Sequence, residues 1–223
     1  MMPTARDALL DAARAALTAR PWPAVRMVEV AAAAGVSRQT LHNEFGGKDG
    51  LARALVRRAA DGYLAGVEQA LGTAGGTGDR LAATAAWTAR ATRTDDLVRG
   101  LLTGCWEGRL PGPAPSVHRA RPPGSPRPAR WPADAGPPTP AELLDQVRDR
   151  VVAALDDGWS PPGDPAALAA TCELVLRLAL SYALVPPSPG TPGDGVPLVR
   201  DVVERAAGAV AGTGRGAPGA EAT

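Results

Sequence analysis

The run from Ala31 to Phe45, Ala-Ala-Ala-Ala-Gly-Val-Ser-Arg-Gln-Thr-Leu-His-Asn-Glu-Phe, constrains this chain more than any other segment. It reads as the end of one helix, a tight turn centred on Ala34-Gly35-Val36-Ser37, and a second helix opened by the serine. Glycine enters positive φ without steric cost, which is what a reversal between two helices needs at Gly35. Val36 can then turn into a small core, and the Ser37 hydroxyl can accept from the free N–H groups of the next helix. Leu41 and Phe45 lie four residues apart and share the inward face. Arg38, Gln39, His42 and Asn43 are left on the opposite face, where hydrogen-bonding side chains suit base edges and phosphates in a major groove.

The flanking pattern supports a helical domain around this run. Thr4 with Asp7 forms a capping-box signature, followed by Leu9, Ala13, Ala16 and Leu17 at helical spacing. Pro21 and Pro23 end that helix, and Trp22 between them is expected to plug the gap before a second helix over residues 27–34. A long helix over residues 48–71 follows, with Leu51, Ala54, Leu55, Ala59 and Leu64 as its stripe, and then a glycine-rich loop over 72–78. Further helices are expected near residues 79–93, 95–104, 140–157, 164–185 and 196–211. Asp164 would cap the fourth of these, with Pro165 in its first turn. No strand pattern competes, so the fold class is all-α. A three-helix helix-turn-helix domain over 1–47 precedes a larger helical domain over 48–211 and a disordered tail over 212–223.

Charge becomes informative only when divided along the chain. The net charge is +1, yet residues 1–60 hold nine cations, eight arginines and Lys48, against five acids, Asp7, Asp11, Glu29, Glu44 and Asp49. That local excess is placed to attract phosphate. The stretch 108–140 is also basic, with Arg109, Arg119, Arg121, Arg127 and Arg130 facing only Asp134. Its eleven prolines exclude regular helix and suit a solvated polyproline-like loop, with a lid or an auxiliary phosphate contact as the sharper alternative. Cys105 and Cys172 belong to no metal-binding or disulfide pattern, which fits a reducing, cytoplasmic setting and no metal or cofactor. The N-terminus reads as a folded helix and not as a signal peptide, and no apolar stretch reaches the roughly 20 residues a bilayer demands.

The run Val30-Ala31-x-x-Ala34-Gly35-Val36-Ser37-x-x-Thr40-Leu41-His42-x-x-Phe45-x-x-Lys48-x-x-Leu51 resembles the TetR/AcrR family of transcriptional regulators. The family pattern is Ile-Ala-x-x-Ala-Gly-Val-Ser-x-x-Thr-Leu-Tyr-x-x-Phe-x-x-Lys-x-x-Leu, and the resemblance covers about residues 4–70. It implies that Arg38, Gln39 and Thr40 approach bases and phosphates and that Lys48 holds a phosphate. Two positions depart from the pattern. His42 stands where tyrosine is usual, which would make operator affinity pH-sensitive, since imidazole changes charge near neutrality. Arg26 stands where a capping threonine or serine often opens the second helix, trading a cap for a phosphate contact or for a solvated arginine.

Beyond residue 70 the resemblance is architectural. It implies a homodimer on a double-stranded DNA operator, released by a small-molecule effector, with repression the commoner output. Candidate pocket residues are Trp87, Arg90, Cys105 and Trp106, although tryptophan at helical spacing also suits a core. Leu174, Leu178, Tyr182, Val199 and Val203 suit the dimer interface, and Glu173 with Arg177 suits a stabilising pair. One alternative is a dimeric DNA-binding factor without small-molecule control. An enzyme is disfavoured, because neither cysteine has a histidine nearby in sequence.

Overall fold

The computed structural model describes residues 4–73, 75–112, 136–155, 165–185, 200–202 and 205. Its helices are Ala5–Ala19 (α1), Met27–Ala33 (α2), Arg38–Phe45 (α3), Lys48–Leu71 (α4), Thr77–Thr94 (α5), Asp96–Thr103 (α6), Pro140–Leu155 (α7) and Pro165–Leu184 (α8). A 3-10 turn at Trp22–Ala24 lies between α1 and α2, and no strand occurs among the described residues. The all-α expectation therefore holds. The chain forms two compact units, Met1–Leu64 with Asp95–Leu143, and Ala65–Thr94 with Leu144–Thr223.

In the first unit α1 starts on the expected capping box. Thr4 Oγ1 accepts from the Asp7 N–H at 3.1 Å, and the Asp7 carboxylate accepts from the Thr4 N–H at 3.3 Å. The Thr4 hydroxyl and backbone N–H hold the exposed Asp7 carboxyl below its ordinary value of 3.8. A group whose value is lowered on folding adds stability at neutral pH, which is lost as pH falls through the lowered value. Helix α1 packs on both α2 and α3. Leu9, Leu10 and Ala13 are buried, whereas Ala16 and Leu17 are only half-buried.

Trp22 is buried in the 3-10 turn, as its position between two prolines implied, and its backbone N–H donates to the Arg109 carbonyl at 2.6 Å. Helix α2 ends at Ala33, and Ala34 forms its C-cap. Gly35 then takes φ 68°, and the Val36 N–H closes the turn on the Ala31 carbonyl at 3.0 Å. Val36 is only half-buried, whereas Val30, Leu41 and Phe45 are buried.

Gly50, in the first turn of α4, approaches the end of α3 so closely that an added Cβ would fall on the Phe45 carbonyl. Residues 51, 54, 55 and 59 of α4 are buried as its stripe implied, together with Val56 and Tyr63. Helix α6 opens on Asp95, whose carboxylate accepts from the Leu97 and Val98 N–H groups at 2.9 and 3.3 Å. Residues 108–112 and 136–139 are not in a helix. The rest of the proline-rich stretch, including Arg119, Arg121, Arg127, Arg130 and Asp134, lies outside the described residues.

In the second unit α5 and α8 pack extensively on one another. Leu81, Ala85 and Ala89 of α5 and Leu168, Cys172, Val175, Leu176 and Ala179 of α8 are buried. Thr84, Thr88 and Thr92 are buried too, each hydroxyl donating to the carbonyl four residues earlier at 2.7–2.9 Å. On α7, Gln146 is buried and accepts from Arg150, which also donates to Glu68 at 2.9 Å. The helix start at Asp164 and most of the helix expected over 196–211 fall outside the described residues, as does the tail over 212–223. Residues 200–202 and 205 are helical.

Gly50→Ala is expected to lower stability by about 1–3 kcal/mol, because rigid backbone must move to admit the methyl group. Gly62, exposed on α4 with open space around its Cα, is the control. Gly62→Ala should raise stability by about 0.5–1 kcal/mol through helix propensity, both changes being read by thermal unfolding.

Candidate nucleic-acid interface

Helix α3 is held from both ends and from beneath. At its start Ser37 Oγ accepts from the Thr40 N–H at 3.0 Å, and the Ser37 and Thr40 hydroxyls pair at 2.8 Å. Beneath it Leu41 and Phe45 are buried, with the Arg6 guanidinium 4.7 Å above the Phe45 ring. Near its end Arg6 also donates to the Glu44 carbonyl at 3.3 Å and pairs with the Glu44 carboxylate at 3.5 Å. A short helix anchored in this way presents its remaining side chains in a set direction.

Those side chains are Arg38, Gln39, His42 and Asn43, all exposed, with Thr40 half-buried and Ser37 exposed at the cap. Gln39 Nε2 donates to Asn43 Oδ1 at 2.8 Å. Arg26 is exposed at the N-cap of α2 and makes no side-chain cap bond there. Lys48, the first residue of α4, is half-buried. Its Nζ donates to the Pro23 carbonyl at 2.9 Å and lies 5.6 Å from the centre of the Trp22 ring.

Ion pairs sharpen the charge of this surface. Glu44, Glu29 and Asp11 pair with Arg6, Arg20 and Arg58 at 3.5, 2.6 and 2.7 Å. Arg26, Arg38 and Lys48 have no acidic partner among the described residues. Most of the acidity of the domain is thus spent on its own arginines, and the cations near α3 stay available to an anion.

The four candidate pocket residues divide between the two units. Trp87 is half-buried against Gly66, with the exposed Arg90 guanidinium 5.2 Å from its ring centre, and both belong to the second unit. Cys105 is exposed and Trp106 packs half-buried on Gly100, and both belong to the first. Sequence reasoning did not find a cleft of about 110 Å³ in the first unit, lined by Asp49, Ala52, Arg53, Val56, Pro111 and Pro137. Only the two prolines hinted at it, since they belong to the proline-rich stretch. Burial pushes the Cys172 thiol up to about 12, so it stays protonated at neutral pH. Among the described residues no group of three His, Cys, Asp or Glu side chains is placed to hold a metal ion.

Helix α8 carries an uncovered apolar face. Leu174 and Val185 are 49% and 67% exposed, and Leu178 and Tyr182 are half-buried between them. Glu173 and Arg177 form the expected pair at 2.6 Å beside this face. Val199 and Val203 lie outside the described residues. No helix among the described residues is long and apolar enough to cross a membrane.

Comparison with known proteins agrees with the geometry at the N-terminus. Residues 9–55 match the family described as bacterial regulatory proteins, tetR family. The HTH-type transcriptional regulator AlkX of Mycobacterium tuberculosis (strain ATCC 25618 / H37Rv) is 47% identical over 66 residues, 30% of this chain and 31% of that protein. The match thus spans less than a third of that relative's length. The crystal structure of a tetR-family transcriptional regulator from Streptomyces coelicolor is 22% identical, covering 92% of this chain and 80% of that one at a TM-score of 0.51. The fatty acid degradation regulator FadR from Bacillus halodurans is 14% identical, covering 93% and 97% of the two chains at a TM-score of 0.50. At these identities the two structures speak for the fold alone.

Ser37→Ala is expected to cost about 1 kcal/mol of stability through loss of the α3 cap, measurable as a lowered midpoint in denaturant.

Proposed function

Residues 9–55 match the TetR family of bacterial regulatory proteins, and on that premise we propose that the protein is a transcriptional regulator of this family, binding a palindromic operator as a homodimer. One α3 lies in the major groove of each half-site. The observation that carries this reading is the exposed face of Arg38, Gln39, His42 and Asn43 on a helix capped by Ser37 and seated on Leu41 and Phe45. Arg26 and Lys48 supply phosphate contacts. Lys48 Nζ gives one of its three donors to Pro23, which aims the ammonium and leaves two donors for a phosphate oxygen.

Two subunits convert a weak single contact into a strong paired one, and the apolar face of Leu174, Leu178, Tyr182 and Val185 is the surface on which they meet. Release by a small molecule, and repression as the output, complete the reading. A mechanical route exists inside the first unit. Asp95, the cap of α6, pairs with Arg14 of α1 at 2.5 Å, and the Arg109 carbonyl holds the Trp22 N–H. A shift of α6 and the loop after it would pull on α1 and on the Trp22 turn against which Lys48 rests.

A second reading, a dimeric DNA-binding factor without small-molecule control, is favoured by the Trp87 ring being already covered by Arg90. A screen for compounds that release the protein from its selected DNA separates the two, since only the first reading yields a hit.

The reading is tested by titrating the protein into palindromic duplexes selected from a randomised pool. Two protomers per palindrome and a steep fall of affinity with salt are expected, and binding indifferent to salt would refute the docking. Lys48→Ala should weaken selected and random duplexes alike, and lower the slope of log affinity against log salt by about one per half-site. His42→Ala should weaken binding to the selected duplex through loss of a hydrogen-bonding side chain, and unchanged affinity would remove His42 from the interface chemistry.

A further inference from the structure

Gln39 and Asn43 stand one turn apart on the exposed face of α3, and their bond joins Gln39 Nε2 to Asn43 Oδ1 at 2.8 Å. The bond orients a carboxamide. Glutamine recognises adenine by accepting from N6 with Oε1 and donating to N7 with Nε2. A carboxamide free to rotate by half a turn offers donor and acceptor in the reverse order just as readily, and loses rotamer freedom on choosing one. Asn43 takes one of the two Nε2 hydrogens as acceptor. The other hydrogen and the Oε1 acceptor of Gln39 remain for a base. Arg38 and His42, on the same face, form no comparable side-chain bond among the described residues.

We propose, resting on the reading of α3 as the DNA-recognition helix, that Asn43 is a specificity-determining residue that acts through Gln39. It holds the Gln39 carboxamide in the orientation that pairs with adenine, so a single A·T pair in each half-site depends on both residues. Asn43 does not read a base of its own. If the Gln39–Asn43 bond served only to stabilise the helix, removing it would change melting and leave base preference untouched.

Selection from a duplex pool randomised over the half-site, performed with the full-length protein, tests this. The wild type is expected to enrich an A·T pair at one position per half-site, and Gln39→Ala to lose that preference roughly tenfold. Asn43→Ala should relax the same position by a similar factor, with neighbouring positions unchanged. Asn43→Asp keeps the acceptor oxygen, so it should retain the preference while binding every sequence more weakly because of its charge. The double variant should be no less selective than Gln39→Ala alone. The proposal is overturned if Asn43→Ala enriches the wild-type profile, if it relaxes a different base pair, or if Asn43→Asp behaves as the alanine variant does. Circular dichroism and thermal unfolding on each variant show that the helical fold is kept. A wild-type protein that enriches nothing overturns the reading of α3 itself, and this proposal with it.

Discussion

Helix α3 has eight residues, fewer than the roughly 12–15 at which an isolated helix becomes even marginally stable in water. Its existence therefore depends on the burial of Leu41 and Phe45, and every interaction that shapes the reading face serves that seating. Ser37 satisfies its first free N–H, Arg6 covers Phe45 and binds the Glu44 carbonyl, and Gly50 lets α4 come close to the helix end. These contacts are individually modest. Together they convert a marginal peptide into a rigid presenter of four polar side chains, and rigidity is what base reading requires, since a displaced side chain loses its hydrogen-bond geometry.

The electrostatics follow from how the acids are used. Surface ion pairs add little stability, typically under about 1 kcal/mol each. Their effect here is on the distribution of what remains. With Glu44, Glu29 and Asp11 paired to Arg6, Arg20 and Arg58, the cations without acidic partners among the described residues include Arg26, Arg38 and Lys48. A chain with a net charge of +1 can thus carry a face suited to phosphate.

The second unit was less legible. The helix near residues 79–93 was expected, but not that Thr84, Thr88 and Thr92 would be buried on α5 along with Leu81, Ala85 and Ala89. Each threonine hydroxyl satisfies itself on the carbonyl of the preceding turn, so burial leaves no orphaned donor. The sequence likewise did not show that the Arg90 guanidinium lies over the Trp87 ring, 5.2 Å from its centre.

The sequence by itself determined the local devices: the Thr4–Asp7 box, the glycine reversal at Gly35, the Ser37 cap, the inward Leu41 and Phe45, the outward Arg38, Gln39, His42 and Asn43, and the Glu173–Arg177 pair. Each rests on atoms within about one helical turn of one another, so neighbouring residues suffice to specify it. Only the tertiary structure decided that Trp22 is tied to Arg109, that Lys48 leans on Pro23, that Arg14 meets Asp95, and that Trp87 is covered while Leu174 is not. The residues of those pairs lie between 25 and 87 positions apart or depend on what packs above them. Their meeting is set by how helices dock, which no local pattern of side chains records.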